Sequence, residues 1–212
     1  MIKPMATPLY RITEAALRRA LLEQLRANAQ ASDLIIEELG VEQGAARIDV
    51  AVAAQRFAGY EIKSDFDTLD RLARQMHAYH RVFDTLTIVT TDAYVAQVAV
   101  LLPAWWGIVV GRVAADHGVV LETIRGPSSH PYQDARSLAS LMWRDDAYAF
   151  ALEHLDSGVK SRATRDALYD LIAESVPVEA IKARVRTLLH QRLEIRQQAK
   201  PQKLPDASCL TV

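Results

Sequence analysis

Two kinds of hydrophobic spacing divide the first part of the chain into helical and extended segments. Apolar residues recur every three or four positions after Thr13, which predicts a helix from Thr13 to about Asn28. The apolar run at 34–36 leads into two glutamates and favours an extended segment. Residues 46–65, ARIDVAVAAQRFAGYEIKSD, predict two short strands joined by a turn.

Alternation along these two strands predicts which side chains share a face of the sheet. In the first strand, Ile48, Val50 and Val52 fall on one face, so Asp49 is expected to point to the other. In the second, Glu61 and Lys63 are two positions apart and therefore share a face. We expect the three polar side chains to converge.

The next segments continue the alternation of helices and strands. Residues 67–81 predict a helix with an apolar stripe, capped by Ser64 or Asp67. Residues 86–90, LTIVT, predict a strand buried in a mixed sheet. A mostly apolar helix is expected at 92–102. Two further strands follow in the pattern, at 106–113 and 119–124.

The pattern changes to helices alone after the linker-like GPSSHP at 126–131. Helices are predicted at 137–155, 161–175 and 178–198. The fold class is therefore α/β, with a mixed central sheet flanked by helices and an α-helical C-terminal module. The predicted boundary separates residues 1–126 from residues 127–212.

Composition narrows the class of protein. The 212 residues are 50% hydrophobic, which is enough for one packed domain, or for one domain with a smaller helical appendage. The formal net charge is −1, so no general basic field indicates a nucleic-acid partner. The single cysteine, Cys209, excludes a disulfide scaffold and fits a reducing cytoplasm. No apolar run is long enough to span a bilayer, and no signal-peptide core is present.

The two polar strands carry the candidate chemistry. An Asp and a Glu brought together on neighbouring strands can hold a hard divalent cation through oxygen atoms. A lysine beside them can hold a negative substrate and act on the attacking water. Asp49, Glu61 and Lys63 therefore predict metal-assisted cleavage of a phosphodiester, although an isolated E-x-K is more often a solvated ion pair.

These residues resemble the PD-(D/E)XK nuclease superfamily, the restriction-endonuclease-like fold. The matching features are Asp49, the E-x-K of Glu61 and Lys63, and the order helix, three strands, helix, strand. Gln75 and Tyr79, four apart on one helix face, resemble the Q-x-x-x-Y element of some members. The run from 59 to 90 is similar to a small bacterial branch of the superfamily. The proline that often precedes the Asp is replaced by Ile48.

The resemblance implies roles for individual residues. Asp49 and Glu61 become ligands of Mg²⁺, for which Mn²⁺ can substitute, and Lys63 becomes the residue that orients water and steadies the phosphate. Glu38 is the best candidate for an upstream acidic residue, with Glu37 and Glu42 as competitors. The remaining implied roles are catalytic support by Gln75 and substrate binding by Tyr79. Arg71 and Arg74 are candidates to bind the substrate backbone, with exposed ion pairs to Asp67 and Asp70 as the alternative.

The function implied by the resemblance is that of a cytoplasmic, metal-dependent deoxyribonuclease acting in DNA repair, a mobile element or defence. DNA is the expected partner, and a homodimer is plausible where both strands are cut. The basic excess at 160–203, ten Lys/Arg against five Asp/Glu, can touch the phosphate backbone. The alternative is a catalytically silent DNA- or protein-binding module with the same fold.

Overall fold

A six-stranded mixed sheet carries the fold. The computed structural model describes residues 11–130, 133–155 and 158–199. The strands lie in the sheet in the order in which they occur in the chain: β1 Leu34–Val41, β2 Ala46–Ala53, β3 Phe57–Ile62, β4 Thr85–Thr91, β5 Gly107–Val113 and β6 Val119–Arg125. β3 pairs in parallel with β4, and β4 with β5, whereas the other neighbours are antiparallel. The predicted α/β class is confirmed.

Helices cover both faces of the sheet. In the part of the chain that the structure describes they are α1 Glu14–Asn28, α2 Leu72–His80, α3 Val95–Leu101, α4 Ala135–Ala139, α5 Arg144–His154, α6 Arg165–Ser175 and α7 Val178–Ala199. A 3-10 turn, Glu42–Gly44, joins β1 to β2. The predicted order of one helix, three strands, one helix and one strand is confirmed.

Two hydrophobic cores lie on opposite faces of the sheet. On one face, Leu17 and Leu21 of α1 pack with Val50 and Val89. On the other face, α2, α3 and the C-terminal helices pack with the remaining buried strand residues, including Ile48 and Ala51. Alternation in β4 and β5 sends successive side chains to the two cores.

The regular alternation expected for the first polar strand is wrong at Asp49. Ile48 packs in the core that contains Ala51, not in the core that contains Val50. The opposed strand β1 changes phase at the same level, where Glu38 has a φ of 58°. A left-handed residue rotates the strand about its own axis, so the pattern of inward residues shifts by one. Glu38 and Asp49 lie at the point where the alternation of β1 and β2 is interrupted.

The helix predicted at 67–81 begins later, at Leu72. Ser64 and Asp67 do not cap it, because the Asp67 carboxylate accepts hydrogen bonds from the backbone N–H and the hydroxyl of Ser64, at 2.9 and 2.6 Å. This local bond stabilises a turn after β3. The helices expected at 92–102 and 161–175 also begin later, at Val95 and Arg165.

The single helix predicted at 137–155 is wrong, since α4 and α5 are separate helices. At the break, the Leu141 carbonyl accepts a hydrogen bond from Arg192 at 2.8 Å. The Met142 carbonyl accepts one from the Tyr169 hydroxyl, also at 2.8 Å. Side chains distant in sequence satisfy the carbonyls that a continuous helix would use, which a local pattern cannot reveal.

The C-terminal helices share a hydrophobic core with the sheet. A buried ion pair also joins them, because Lys182 Nζ of α7 lies 2.7 Å from Asp84 Oδ1 at the start of β4. Residues 126–130 contain neither helix nor strand, and the boundary predicted at residue 126 stays a prediction. Among the described residues, no helix has the length and apolar character needed to cross a membrane.

Candidate functional site

Strands β2 and β3 separate at Asp49. Their register runs from Ala53 opposite Phe57 to Val50 opposite Tyr60. Beyond this pair, the Ile62 backbone N–H donates to Asp49 Oδ2 at 2.7 Å. The Asp49 carboxylate, rather than a backbone carbonyl of β2, therefore accepts the hydrogen bond of this N–H, and it places polar atoms where the two strands separate.

A hydrogen-bonded network surrounds the Glu61 carboxylate, which is almost fully buried. Lys63 Nζ lies 2.7 Å from Glu61 Oε1 and 3.5 Å from Gln75 Oε1. The Tyr79 hydroxyl lies 2.9 Å from Glu61 Oε2 and 2.7 Å from the Arg47 carbonyl, and its single proton serves one of these acceptors at a time. Gln75 Nε2 donates to the Tyr79 oxygen at 3.3 Å.

Burial and the charge of Glu61 shift the pKa values of two neighbouring groups, Tyr79 and Asp49. Burial, followed by the charge and hydrogen bond of Glu61, raises the pKa of the Tyr79 hydroxyl well above its usual range, so the hydroxyl remains a donor. Burial and the neighbouring charge of Glu61 raise the pKa of Asp49 to about 6. The Ile62 N–H and the charges of Arg18 and Lys63 only partly offset this rise. The two carboxylates therefore repel each other.

The donor set fits a hard divalent cation. Mutual repulsion of Asp49 and Glu61 is the condition that a bound cation relieves. Across the described ranges, no three His, Cys, Asp or Glu side chains form a ready-made metal cluster. Mg²⁺ commonly binds one or two carboxylates and keeps several waters, so a pair is sufficient.

Glu38 is the upstream acidic residue that shares a partner with Asp49. Arg18 Nη2 lies 2.6 Å from Glu38 Oε1 and 3.0 Å from Asp49 Oδ1. Glu37 lies farther from Arg18, at 3.8 Å, and Glu42 accepts a hydrogen bond from Ser137 of α4. Of the three candidates named from the sequence, Glu38 is positioned beside Asp49.

One open cleft of about 710 Å³, here called the Asp49 cleft, is lined by Glu38, Asp49, Glu61, Lys63 and Gln75. Arg71 and Arg74 lie on its rim and are exposed. Neither makes an ion pair with Asp67 or Asp70, and neither has another ion-pair partner within the described part of the chain. The two guanidinium groups are available to a negatively charged ligand.

Arg18 of α1 is a further residue of the site, which the sequence pattern does not single out. In addition to the contacts of its Nη2 with Glu38 and Asp49, Arg18 donates a hydrogen bond from Nε to Glu14 at 2.6 Å. The spacing of Glu14 and Arg18 indicates a helical ion pair, but no local signal reveals a contact with a residue 31 positions away. His80 of α2 accepts a hydrogen bond from Trp106 Nε1 at 2.9 Å.

The fold and the cleft define an α/β protein whose mixed sheet presents paired carboxylates beside a buried lysine. Residues 9–204 match the family described as bacteriophage P4 protein cII, and the chain belongs to that family. Protein cII of Enterobacteria phage P4 is 34% identical over 110 residues, which are 51% of this chain and 38% of the phage protein.

A solved structure of a protein of unknown function from Silicibacter pomeroyi is also similar. It is 21% identical and has a TM-score of 0.43 over 69% of this chain and 95% of that chain. The resemblance to PD-(D/E)XK nucleases stays a prediction.

Proposed function

We propose that the protein is a metal-dependent deoxyribonuclease with a restriction-endonuclease-like core. The observation that carries the proposal is that Asp49, Glu61 and Lys63 line one cleft where β2 and β3 separate, with Lys63 bonded to Glu61. A solvated E-x-K pair would be exposed, whereas Glu61 is 1% and Lys63 7% exposed. Burying the charges of Glu61 and Lys63 beside the half-buried Asp49 is costly, so the arrangement favours a chemical role.

Asp49 and Glu61 are the residues that would hold Mg²⁺ or Mn²⁺. The chemistry supplied by the metal, when bound, is polarisation of the scissile phosphate and activation of a water molecule. Arg18 holds one Asp49 oxygen and the Ile62 N–H holds the other, so the plane of this carboxylate is fixed. Tyr79 is positioned to hold Glu61 Oε2 in the same way.

Lys63 contributes a fixed positive charge beside the reacting phosphate. Its ammonium group is held by Glu61 Oε1 and, more weakly, by Gln75 Oε1. An ammonium fixed in a poorly solvated cleft stabilises the charge that develops on phosphate oxygens, and it can orient the attacking water. Gln75 is a positioning residue, because it contacts both Lys63 and Tyr79.

The experiment that tests the proposal is incubation of the purified chain with supercoiled plasmid DNA and Mg²⁺ or Mn²⁺. We expect nicked or linear products that EDTA prevents. The proposal is overturned if wild-type protein leaves linear, nicked, branched and single-stranded DNA intact with either metal.

Removal of either rim arginine is expected to weaken binding to duplex DNA. Each of Arg71→Gln and Arg74→Gln removes one unpaired cation, so the slope of log K against log salt should become shallower by about one. Fluorescence anisotropy in EDTA measures this slope without cleavage. Arg19→Gln is the matched control, because Arg19 is exposed on α1 and does not line the Asp49 cleft. Equal slopes for all three variants would refute the rim assignment.

A further inference from the structure

A second cleft, of about 600 Å³, lies between strand β1 and the C-terminal helices. It is here called the Trp143 cleft, and its charged and aromatic lining consists of Glu38, Trp143, Arg144, Arg165, Tyr169 and Arg192. Of its three arginines, Arg144 and Arg192 are ion-paired with Asp145 and Asp146, whereas Arg165 pairs with no described carboxylate. Glu38 is paired with Arg18 and Arg47.

The indole ring of Trp143 is stacked on a side chain on one face and is exposed on the other. Trp143 is the residue before α5, and 65% of its surface is exposed. The Arg192 guanidinium lies 4.3 Å from the centroid of its ring. Arg192 is fixed in turn by Asp146 at 2.9 Å and by the Leu141 carbonyl. The indole is thus held from one side and presents a flat surface on the other.

The Trp143 cleft adjoins the Asp49 cleft, because Glu38 and Gly44 line both. Arg165, at the start of α6, is exposed and has no ion-pair partner in the described segments. A backed aromatic ring with an unpaired arginine nearby is the combination that binds single-stranded nucleic acid, through base stacking and phosphate contact.

We propose that the Trp143 cleft binds a single-stranded segment of the DNA substrate, with one base stacked on Trp143 and a backbone phosphate at Arg165. This inference deepens the nuclease proposal and rests on it for the identity of the substrate. A strand that occupies both clefts would pass the level of Glu38, next to Asp49. The preferred substrate is therefore DNA with a single-stranded part next to the cut, rather than uninterrupted duplex.

The test is fluorescence anisotropy of the full chain with labelled oligothymidylate in EDTA. Trp143→Ala is expected to weaken binding about five- to hundredfold, the effect of one lost stacked base. Trp143→Phe should retain most of the affinity, and Arg165→Gln should make the salt slope shallower by about 0.7, as expected for one phosphate contact on a single strand. Arg19→Gln should behave as wild type, and binding of blunt duplex should be unaffected by Trp143→Ala.

The inference is overturned if Trp143→Ala binds oligothymidylate as tightly as wild type, or if single strand and duplex weaken by the same factor. It is also overturned if Arg165→Gln matches Arg19→Gln, a result that does not depend on how Trp143→Ala folds. Plasmid cleavage with Mn²⁺ separates the two proposals. If wild type cleaves the plasmid and Trp143→Ala binds oligothymidylate as tightly as wild type, only this inference is overturned. If Trp143→Ala binds oligothymidylate more weakly but wild type cleaves no DNA, only the nuclease proposal is overturned.

Discussion

Lys63→Met is expected to slow metal-dependent DNA cleavage about a hundred- to ten-thousandfold, the usual contribution of a positioned catalytic side chain. Methionine keeps most of the apolar stem of this buried lysine but removes the ammonium 2.7 Å from Glu61 Oε1. The phosphate then loses a fixed positive charge, while Asp49 and Glu61 remain available to the metal. The rate of plasmid nicking at saturating Mn²⁺ measures the effect.

Two controls separate chemistry from folding in this experiment. Urea unfolding reports whether Lys63→Met retains the native structure, and Mn²⁺ binding reports whether the carboxylates still act together. Gln75→Ala should have a smaller effect on cleavage, because Gln75 contacts Lys63 at the longer distance of 3.5 Å. A folded, Mn²⁺-binding Lys63→Met protein that cleaves at the wild-type rate would contradict the role assigned to Lys63.

Ionisation of Asp49 is expected to cost the metal-free protein about 3 kcal/mol of unfolding free energy, since its pKa is raised by about two units. An aspartate in the unfolded chain titrates near a pKa of about 4, whereas burial and Glu61 raise the pKa of Asp49 to about 6. The native state therefore holds this proton more tightly than the unfolded state. The stability contributed by the protonated carboxyl is present at low pH and is lost as the pH rises from about 4 to about 6.

Asp49→Asn isolates this contribution, because an amide oxygen can still accept the Ile62 N–H but does not titrate. Urea unfolding in EDTA is measured for both proteins across this pH range. We expect the free energy of unfolding of Asp49→Asn, relative to wild type, to increase between pH values of about 4 and 6 and to stay constant above. A difference that does not change with pH would contradict the raised pKa of Asp49.

Local spacing was enough to predict the parts of the site that depend on one element. Glu61 and Lys63 meet because they are two apart at the end of β3, and Gln75 and Tyr79 because they are four apart on α2. The order of strands and helices up to β4 also follows from hydrophobic periodicity. Each of these features repeats along a single segment.

Features that depend on contacts between distant segments were not predictable. The change of phase at Asp49 depends on the left-handed conformation of Glu38 in the neighbouring strand. The contact of Arg18 with Asp49 and the stacking of Arg192 on Trp143 join residues that are 31 and 49 positions apart. Periodicity carries no information on such pairs, so Arg18 and the Trp143 cleft emerged only from the three-dimensional arrangement.

Calorimetric titration with Mn²⁺ tests most directly whether Asp49 and Glu61 act as one cation site. The wild-type chain should bind one Mn²⁺ ion, and Asp49→Asn and Glu61→Gln should each lose this binding, while Glu23→Gln, an exposed position on α1, should retain it. The account is contradicted if wild type takes up no Mn²⁺, or if both site variants bind it as wild type does.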